Sequence, residues 1–321
     1  MPKIHGTIDS TRMRAAFMLA VFAIVCSIAR ADAAPVYKDE TAPVEDRIDD
    51  LLGRMTLDEK ILMLSGDRDT GFNTYPNERL GIPSILMADG PHGVRRGEAT
   101  AFPTGVTLGS TWNEELLERV GAAIGRETLG KGIDVILGPC INIHRVPLGG
   151  RNFDSYSADP FLAGRLAVGY VKGVQGVGAI STPKHYAVNN QENQRFTISA
   201  EISERALREL YLPHFRDAVV EGGAWTVMCS YNLINGVYAC EHPHLLTDIL
   251  KGEWGFTGYV VSDWGAVHST VDTAMAGMDL EMPNGKHMRE GLQEAVDAGD
   301  VPVSVIDDKV RRILRVMMES G

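Results

Sequence analysis

The stretch LLTDILKGEWGFTGYVVSDWGA, residues 245–266, decides the fold. An apolar helix end runs into Gly255, and a turn follows at Thr257-Gly258. A short apolar strand, Tyr259-Val260-Val261, then stops abruptly at Ser262-Asp263-Trp264. A carboxylate at the C-terminal tip of a buried strand is where α/β barrels place their chemistry. The plain alternative is that Asp263 caps the helix that follows. The rest of the chain weighs against that alternative.

Working outward, strand-like apolar runs recur at Ile85–Ala88, Asp134–Gly138, Ala179–Pro183, Trp225–Cys229, Tyr259–Ser262 and Asp279–Met282. Amphipathic helical runs lie between them at Asn113–Leu129, Pro160–Val174, Ser203–Val220, His244–Glu253 and His268–Gly277. Two more helices are expected near Met288–Ala298 and Val303–Glu319, and Thr56-Leu57-Asp58-Glu59 reads as a capping box ahead of a helix at Lys60–Leu64. Strand and helix taking turns argues for a parallel sheet with helical crossovers, and short, largely apolar strands suit a sheet covered on both faces. The polar motifs fall after the strands, and the GxGxxG nucleotide fingerprint is absent after the first strand. Both points favour an α/β fold of TIM type, a (β/α)8 barrel that is complete or lacks some of its eight units, over a doubly wound sheet.

The chain of 321 residues is 44% hydrophobic, enough for one large barrel with a sizeable core. Its formal net charge of −11 argues against a nucleic-acid partner. At the N-terminus, Arg12 and Arg14 precede an apolar run from Ala15 to Ala29, and the small-residue pattern Ala31-Asp32-Ala33 follows. This reads as a secretory signal over residues 1–33, with the barrel domain over 34–321. The apolar run is shorter than the roughly 20 residues of a spanning helix, and no later segment is long and apolar enough, so no membrane association is expected after cleavage. The expected compartment is periplasmic or extracellular. Of the four cysteines, Cys26 falls in the signal. Cys229 and Cys240 flank SYNLINGVYA and either pair, which would stabilise by roughly 3 kcal/mol, or stay as buried thiols. No CxxC pair exists, and neither a metal nor a cofactor is expected. Oligomeric state is not readable.

Five strand ends carry polar clusters. Ile85–Ala88 runs into Asp89-Gly90-Pro91-His92-Gly93-Val94-Arg95. Val135–Gly138 leads through Pro139 to Gly149-Gly150-Arg151-Asn152-Phe153-Asp154. Ile180–Pro183 runs into Lys184-His185-Tyr186, with Arg195 beyond; Val227-Met228-Cys229-Ser230 ends in Tyr231-Asn232; and the fifth cluster is Ser262-Asp263-Trp264. Singly, each has a dull explanation: Asp89 as a turn residue, Arg151 as a surface cation, Lys184-His185 as a rim ion pair, Tyr231 and Trp264 as core aromatics. Five clusters in register with five strands are hard to explain as turn chemistry. The residue types also fit one task. Asp89, Lys184, His185 and Arg151 supply acceptors and donors for several hydroxyls, and Trp264 offers an apolar platform for a sugar face. Nearby cations are expected to hold Asp263 ionised, as a nucleophile must be, and Tyr231 is placed to hydrogen-bond and aim it.

The motifs DGPHGVR, GRNFD, KHYAVNNQENQR, VMCSYN and GFTGYVVSDW resemble those of glycoside hydrolase family 3, the β-glucosidases and related exo-acting enzymes. The resemblance spans about residues 45–285. It implies that Asp263 is the nucleophile of a retaining enzyme and that Asp89, Arg95, Arg151, Lys184, His185, Arg195, Met228, Tyr231 and Trp264 line the subsite for a terminal β-D-glucosyl residue. Two departures touch loop support: Asp154 and Ala158 stand where the family often has Glu. Retaining hydrolysis also needs an acid/base carboxyl group about 5–5.5 Å from the nucleophile. In β-glucosidase-like members that group is usually a Glu of a second α/β domain, and the alternative Asp-His pair after a KHFPGHG-type motif is replaced here by KHYAVNNQE. The expectation is therefore a barrel domain with nucleophile and sugar pocket, without the family's C-terminal domain or proton donor, and weak or inactive as a hydrolase by itself.

Two rivals stand beside this reading. Lys184 at a strand tip suggests a Schiff-base aldolase, although no apolar surround is visible for it in the sequence. A non-catalytic sugar-binding barrel follows if the proton donor is missing. Among substrates, the resemblance favours β-glucosides, with β-xylosides and other β-linked sugars left open.

Overall fold

The computed structural model describes residues 35–321, so the signal reading and Cys26 lie outside the described residues. The described residues fall into two units, one ending at Leu51 and the other spanning Leu52–Gly321. In the described part of the first, a turn at Val36–Lys38 is tied by the Tyr37 N–H to the Asp50 carboxylate at 3.1 Å. A helix at Val44–Arg54 follows.

In the second unit, α1 (Leu57–Met63) starts with the expected capping box: Thr56 Oγ1 accepts from Glu59 N–H while the Glu59 carboxylate accepts from Thr56 N–H. The barrel strands are β1 (Met87–Asp89), β2 (Val135–Leu137), β3 (Ile180–Ser181), β4 (Lys184–Tyr186), β5 (Thr226–Cys229) and β6 (Tyr259–Ser262), and a separate small sheet joins Ser199–Ala200 to a hairpin of Leu233–Ile234 and Val237–Tyr238. Between them lie α2 (Glu114–Gly130), α3 (Pro160–Gln175), α4 (Pro213–Val220) and α5 (His244–Glu253). After β6 come α6 (Val271–Ala276), α7 (Met288–Ala298) and α8 (Val303–Ser320).

β1, β2 and β3 form one parallel ladder, and β4, β5 and β6 another. They join because β3 and β4 are one chain run interrupted at Thr182-Pro183, with Lys184 also bridging Cys140 beyond β2. Past β6, Leu280 pairs with Val261, and Glu281 pairs with Ser65. Gly66 then pairs antiparallel with Thr74, and Asn73 with Leu86 at the foot of β1. The backbone circuit therefore closes, with N···O distances of 2.8 Å for Gly66 to Glu281 and 3.0 Å for Thr74 to Ile85. This is a barrel of TIM type with one reversed position, so the eight-fold β/α repeat is incomplete. Closure leaves no bare sheet edge along this circuit.

The core between barrel and helices is built from Ala88, Ile136 and Ala179 on the strand side and Ile124, Tyr170 and Val174 on α2 and α3. Each fully buried aliphatic contributes about 2 kcal/mol relative to exposure. The helices α2 and α3 approach closely because glycines line the seam: a Cβ on Gly173 would lie 2.0 Å from the Glu118 carbonyl oxygen, and one on Gly169 would lie 2.4 Å from that of Glu114.

Three expectations shift. The run Ser203–Val220 is broken into Glu204–Ala206, a wide turn at Leu207–Tyr211 and α4. Pro213, at the first position of α4, has no N–H to continue the preceding winding. The helix expected from His268 begins at Val271. The strand expected at Asp279–Met282 pairs only through Leu280 and Glu281.

Candidate active site

The strand tips converge on a cavity of about 580 Å³, within the usual range for small-molecule sites. It brings together all ten residues singled out in the sequence: Asp89, Arg95, Arg151, Lys184, His185, Arg195, Met228, Tyr231, Asp263 and Trp264. Parallel register explains the convergence. Asp89 ends β1, Met228 pairs with Lys184 and with Val261, and Cys229 pairs with Ser262, so the residues just beyond each strand emerge at one mouth.

Asp89 is clamped by two cations, Lys184 Nζ at 2.5 Å from Oδ1 and Arg95 Nη1 at 2.6 Å from Oδ2. Burial works against its charge, yet Lys184 and Arg95 hold its pKa below the ordinary carboxylate value. The clamp engages the Lys184 ammonium as a charged donor, which counts against a Schiff-base lysine needing a free lone pair.

Arg151 is aimed by Asp154, with Nε and Nη2 both 2.7 Å from Oδ2, and its Nη1 stands 3.2 Å from His185 Nε2. Arg195 donates to Glu192 at 2.8 Å, and its guanidinium sits 4.8 Å from the Tyr231 ring centre and 4.9 Å from that of Phe196. This cation–π contact fixes the tyrosine ring that faces the cavity. Trp264 donates from Nε1 to the Gly71 carbonyl at 2.7 Å and packs against Phe72 with ring centres 5.0 Å apart. Met228, 1% exposed, sits on β5 against this cluster.

Asp263 is 8% exposed. Its Oδ1 accepts the Trp264 N–H at 2.8 Å, and Oδ2 lies 3.5 Å from His185 Nε2. It does not cap the next helix, because α6 begins only at Val271. One detail differs from the sequence expectation. The cations do not win at Asp263: burial is the largest influence and raises its pKa despite Lys184, the Trp264 N–H, Tyr231 and Arg151. No cation touches it directly, whereas two touch Asp89. The Tyr231 hydroxyl lies between the Trp264 carbonyl, 3.1 Å away, and the Asp263 carboxylate, with which it also makes a side-chain hydrogen bond. Burial, followed by the neighbouring Asp263 charge, pushes the Tyr231 phenol up, so it stays protonated.

Burial, followed by Arg151, Lys184 and Arg195, drives the pKa of His185 well below its ordinary value, and the imidazole is neutral. The cavity also exposes Phe72, His92, Phe153 and Asp154, which were not singled out as site residues. His92 and Phe153 lay inside quoted motifs, and the pairing of Asp154 with Arg151 three residues earlier was a legible signal. Phe72 sits in a loop with no motif, and only the barrel's reversed position brings it to Trp264. Among the described residues, the other carboxylates lining the cavity are Asp89 and Asp154, each bonded to an arginine or lysine. Cys229 and Cys240, behind the site, form a disulfide. No helix among the described residues is long and apolar enough to cross a membrane.

Comparison with known proteins gives a consistent result. The sequence profile of the glycosyl hydrolase family 3 N terminal domain matches residues 62–316. A beta-glucosidase of Rhizobium radiobacter is 46% identical over 282 residues, covering 85% of this chain and 34% of the relative. An exo-alpha-(1->6)-L-arabinopyranosidase of Bifidobacterium longum is 47% identical over 243 residues, covering 71% of this chain and 32% of the relative. The solved structure of beta-glucosidase 3B from Thermotoga neapolitana in complex with glucose superposes with a TM-score of 0.80 at 40% identity, over 85% of this chain and 42% of that one. The chain thus spans about a third to two fifths of the length of these proteins.

Proposed function

This chain belongs to glycosyl hydrolase family 3, and from that membership we propose that its barrel is the sugar-binding, nucleophile-bearing part of an exo-acting retaining β-glycosidase of β-glucosidase type. One observation carries the reading. Asp263 lies buried at a strand tip, with one carboxylate oxygen held by a backbone N–H and the other facing a cavity of hydroxyl-binding groups.

In the proposed reaction, Asp263 Oδ2 attacks the anomeric carbon of a terminal β-D-glucosyl residue. The carboxylate–carbon bond forms as the glycosidic carbon–oxygen bond breaks, and the leaving oxygen departs with the electron pair. Water then hydrolyses the glycosyl ester, releasing the sugar with its configuration retained. Asp89 is the fixed acceptor for sugar hydroxyls. Lys184 and Arg151 are the donors, with His185 Nε2 accepting from Arg151 and holding that guanidinium in place. Trp264 with Phe72 makes the apolar wall, and Arg95, Arg195, Met228 and Tyr231 complete the pocket. The leaving oxygen needs a proton. Asp89, whose pKa is depressed, is not suited to give one, and the Asp154 carboxylate is turned to Arg151. The described pocket thus supplies one half of the carboxylate pair, and acid help is worth about 10²–10⁴-fold in rate. The arabinopyranosidase among the relatives makes related pyranosides the second substrate class to test. We also propose export, with residues 1–33 as the signal; the Cys229–Cys240 disulfide is in keeping with an oxidising compartment.

The test is intact-protein mass spectrometry after incubation with a 2-deoxy-2-fluoro-β-glucoside whose leaving group needs no acid. An adduct on Asp263 that is lost in Asp263→Asn is the expected result. Sugar binding without any adduct would replace this reading with a non-catalytic sugar-binding barrel.

A further inference from the structure

Asn142 lies just beyond β2, is 5% exposed, and meets His185 from behind the pocket wall. Three contacts join the two residues. Asn142 Nδ2 donates to the His185 carbonyl at 2.8 Å, the His185 N–H donates to Asn142 Oδ1 at 2.9 Å, and Nδ1 of the imidazole stands 3.2 Å from the same Oδ1. The first two contacts fix which end of the amide is which. Oδ1, a pure acceptor, therefore faces Nδ1, and a neutral ring there must carry its proton on Nδ1. The remaining neighbour of Nδ1 is Cys140 Sγ at 3.8 Å, a weak partner whose thiol burial keeps protonated, with its pKa pushed up to about 11.

With the proton on Nδ1, Nε2 carries a lone pair. Arg151 Nη1, at 3.2 Å, is the donor that meets it. The consequence for Asp263 is specific. Its Oδ2, 3.5 Å from Nε2, receives no proton from the ring, while Oδ1 is occupied by the Trp264 N–H. The opposite tautomer, or an imidazolium, would put an N–H against Oδ2 and weaken it as a nucleophile.

We propose that Asn142 is a positioning residue that holds His185 as the Nδ1-protonated tautomer, so that Nε2 accepts from Arg151 and turns no N–H toward Asp263. The proposal deepens the retaining-glycosidase reading and rests on it only for its kinetic consequence. The charged and titratable groups facing the ring are Arg151, Lys184, Arg195 and Asp263, together with the Cys140 thiol. A carboxylate in place of the amide would add a negative charge at hydrogen-bond distance from Nδ1, favour the imidazolium, and turn an N–H toward Oδ2.

The test uses the full chain with histidine labelled by ¹⁵N, its nine imidazoles sorted by loss of one signal pair in His185→Gln. Wild type is expected to show a neutral His185 ring, protonated on Nδ1 and bare on Nε2, from pH 5 to 8. In Asn142→Asp the same ring is expected to titrate within that range. The acid limb of the pH profile for fluoroglucoside adduct formation is expected to move up by roughly one to three units. An Nε2–H tautomer or an imidazolium in wild type at pH 7 would overturn the proposal, as would a folded Asn142→Asp with an unmoved pH profile. Should Asn142→Asp not fold, the wild-type spectrum decides alone. Should wild type form no adduct, the reaction assignment fails while the imidazole spectrum still decides the tautomer.

Discussion

The most quantitative consequence of the fold lies at the opposite end of the barrel strands. Asp279 is fully buried; it accepts the Val260 N–H at 2.8 Å and Lys251 Nζ at 2.8 Å, with Lys309 Nζ at 3.9 Å. Lys309, on α8 and 2% exposed, donates to the Met278 carbonyl at 2.7 Å. Two cations share one carboxylate in a dry site. Burial, reinforced by Lys251 and opposed by Asp279, brings the Lys309 pKa from 10.5 down to about 7. A lysine with a folded pKa below its unfolded one leaves the unfolded chain with more bound protons between those values, so stability rises with pH across that window. Taking about 7 folded and 10.5 unfolded, the linkage cost of Lys309 is about 4 kcal/mol at pH 7 and about 2 kcal/mol at pH 9. Lys309→Met keeps the volume and removes the titration. Urea unfolding at pH 7 and pH 9 should therefore show wild type gaining about 2 kcal/mol more over that interval than Lys309→Met. Equal gains in the two proteins would refute the argument and mean that water reaches the ammonium. The interval stops at pH 9 because buried tyrosines such as Tyr186 have raised pKa values and work in the opposite direction once unfolded tyrosine ionises.

Other outcomes follow from single contacts. Gly173→Ala should destabilise the chain by about 1–3 kcal/mol in the same unfolding assay, because the new methyl meets the Glu118 carbonyl at the α2–α3 seam. Cys229→Ser with Cys240→Ser should cost about 3 kcal/mol, the closure entropy of a loop with 11-residue separation, and mild reduction of wild type should mimic it. Trp264→Ala should raise the fluoroglucoside concentration for half-maximal adduct formation by roughly tenfold while leaving the saturating rate nearly unchanged, since the ring binds and does not react.

Much of this was legible because period and position carried it. The run Tyr259–Ser262 is the observed strand to the residue, and the helices at His244–Glu253 and Met288–Ala298 stand as read. The residues gathered at the mouth were readable because parallel strands present their ends together. What was not legible depended on contacts distant in sequence. The reversed pairing at Asn73–Thr74 has no alternation to mark it, so Phe72 could not be placed. The break at Pro213 was written in the sequence but was outweighed there by the amphipathic pattern running through it. The role of Asn142 needs the orientation of its amide, which no motif encodes. The Cys229–Cys240 pairing was one of two open choices until β5 and the hairpin at Leu233–Tyr238 brought the sulfurs together.

The two carboxylates of the pocket show why the opposing pKa shifts matter more than the presence of charge. Both are taken out of water, and Lys184 acts on both. Asp89 has its two oxygens in direct contact with Lys184 and Arg95, and its pKa falls. Asp263 has one backbone N–H, the Tyr231 hydroxyl and a neutral imidazole but no cation in contact, and its pKa rises through burial. A carboxylate bound at both oxygens by cations is a fixed acceptor with little basicity left for attack. One that burial has made more basic, and that no cation contacts, is the better nucleophile, because Lys184 and Arg151 stabilise its charge only at a distance. The division of labour follows from which acid the cations touch. If it is right, moving a cation onto Asp263 should lower its pKa and its rate together. The fluoroglucoside profile of Tyr231→Lys tests this. Its acid limb should shift to lower pH while the plateau drops, whereas a plateau that held or rose would show that basicity at Asp263 is not what the burial supplies.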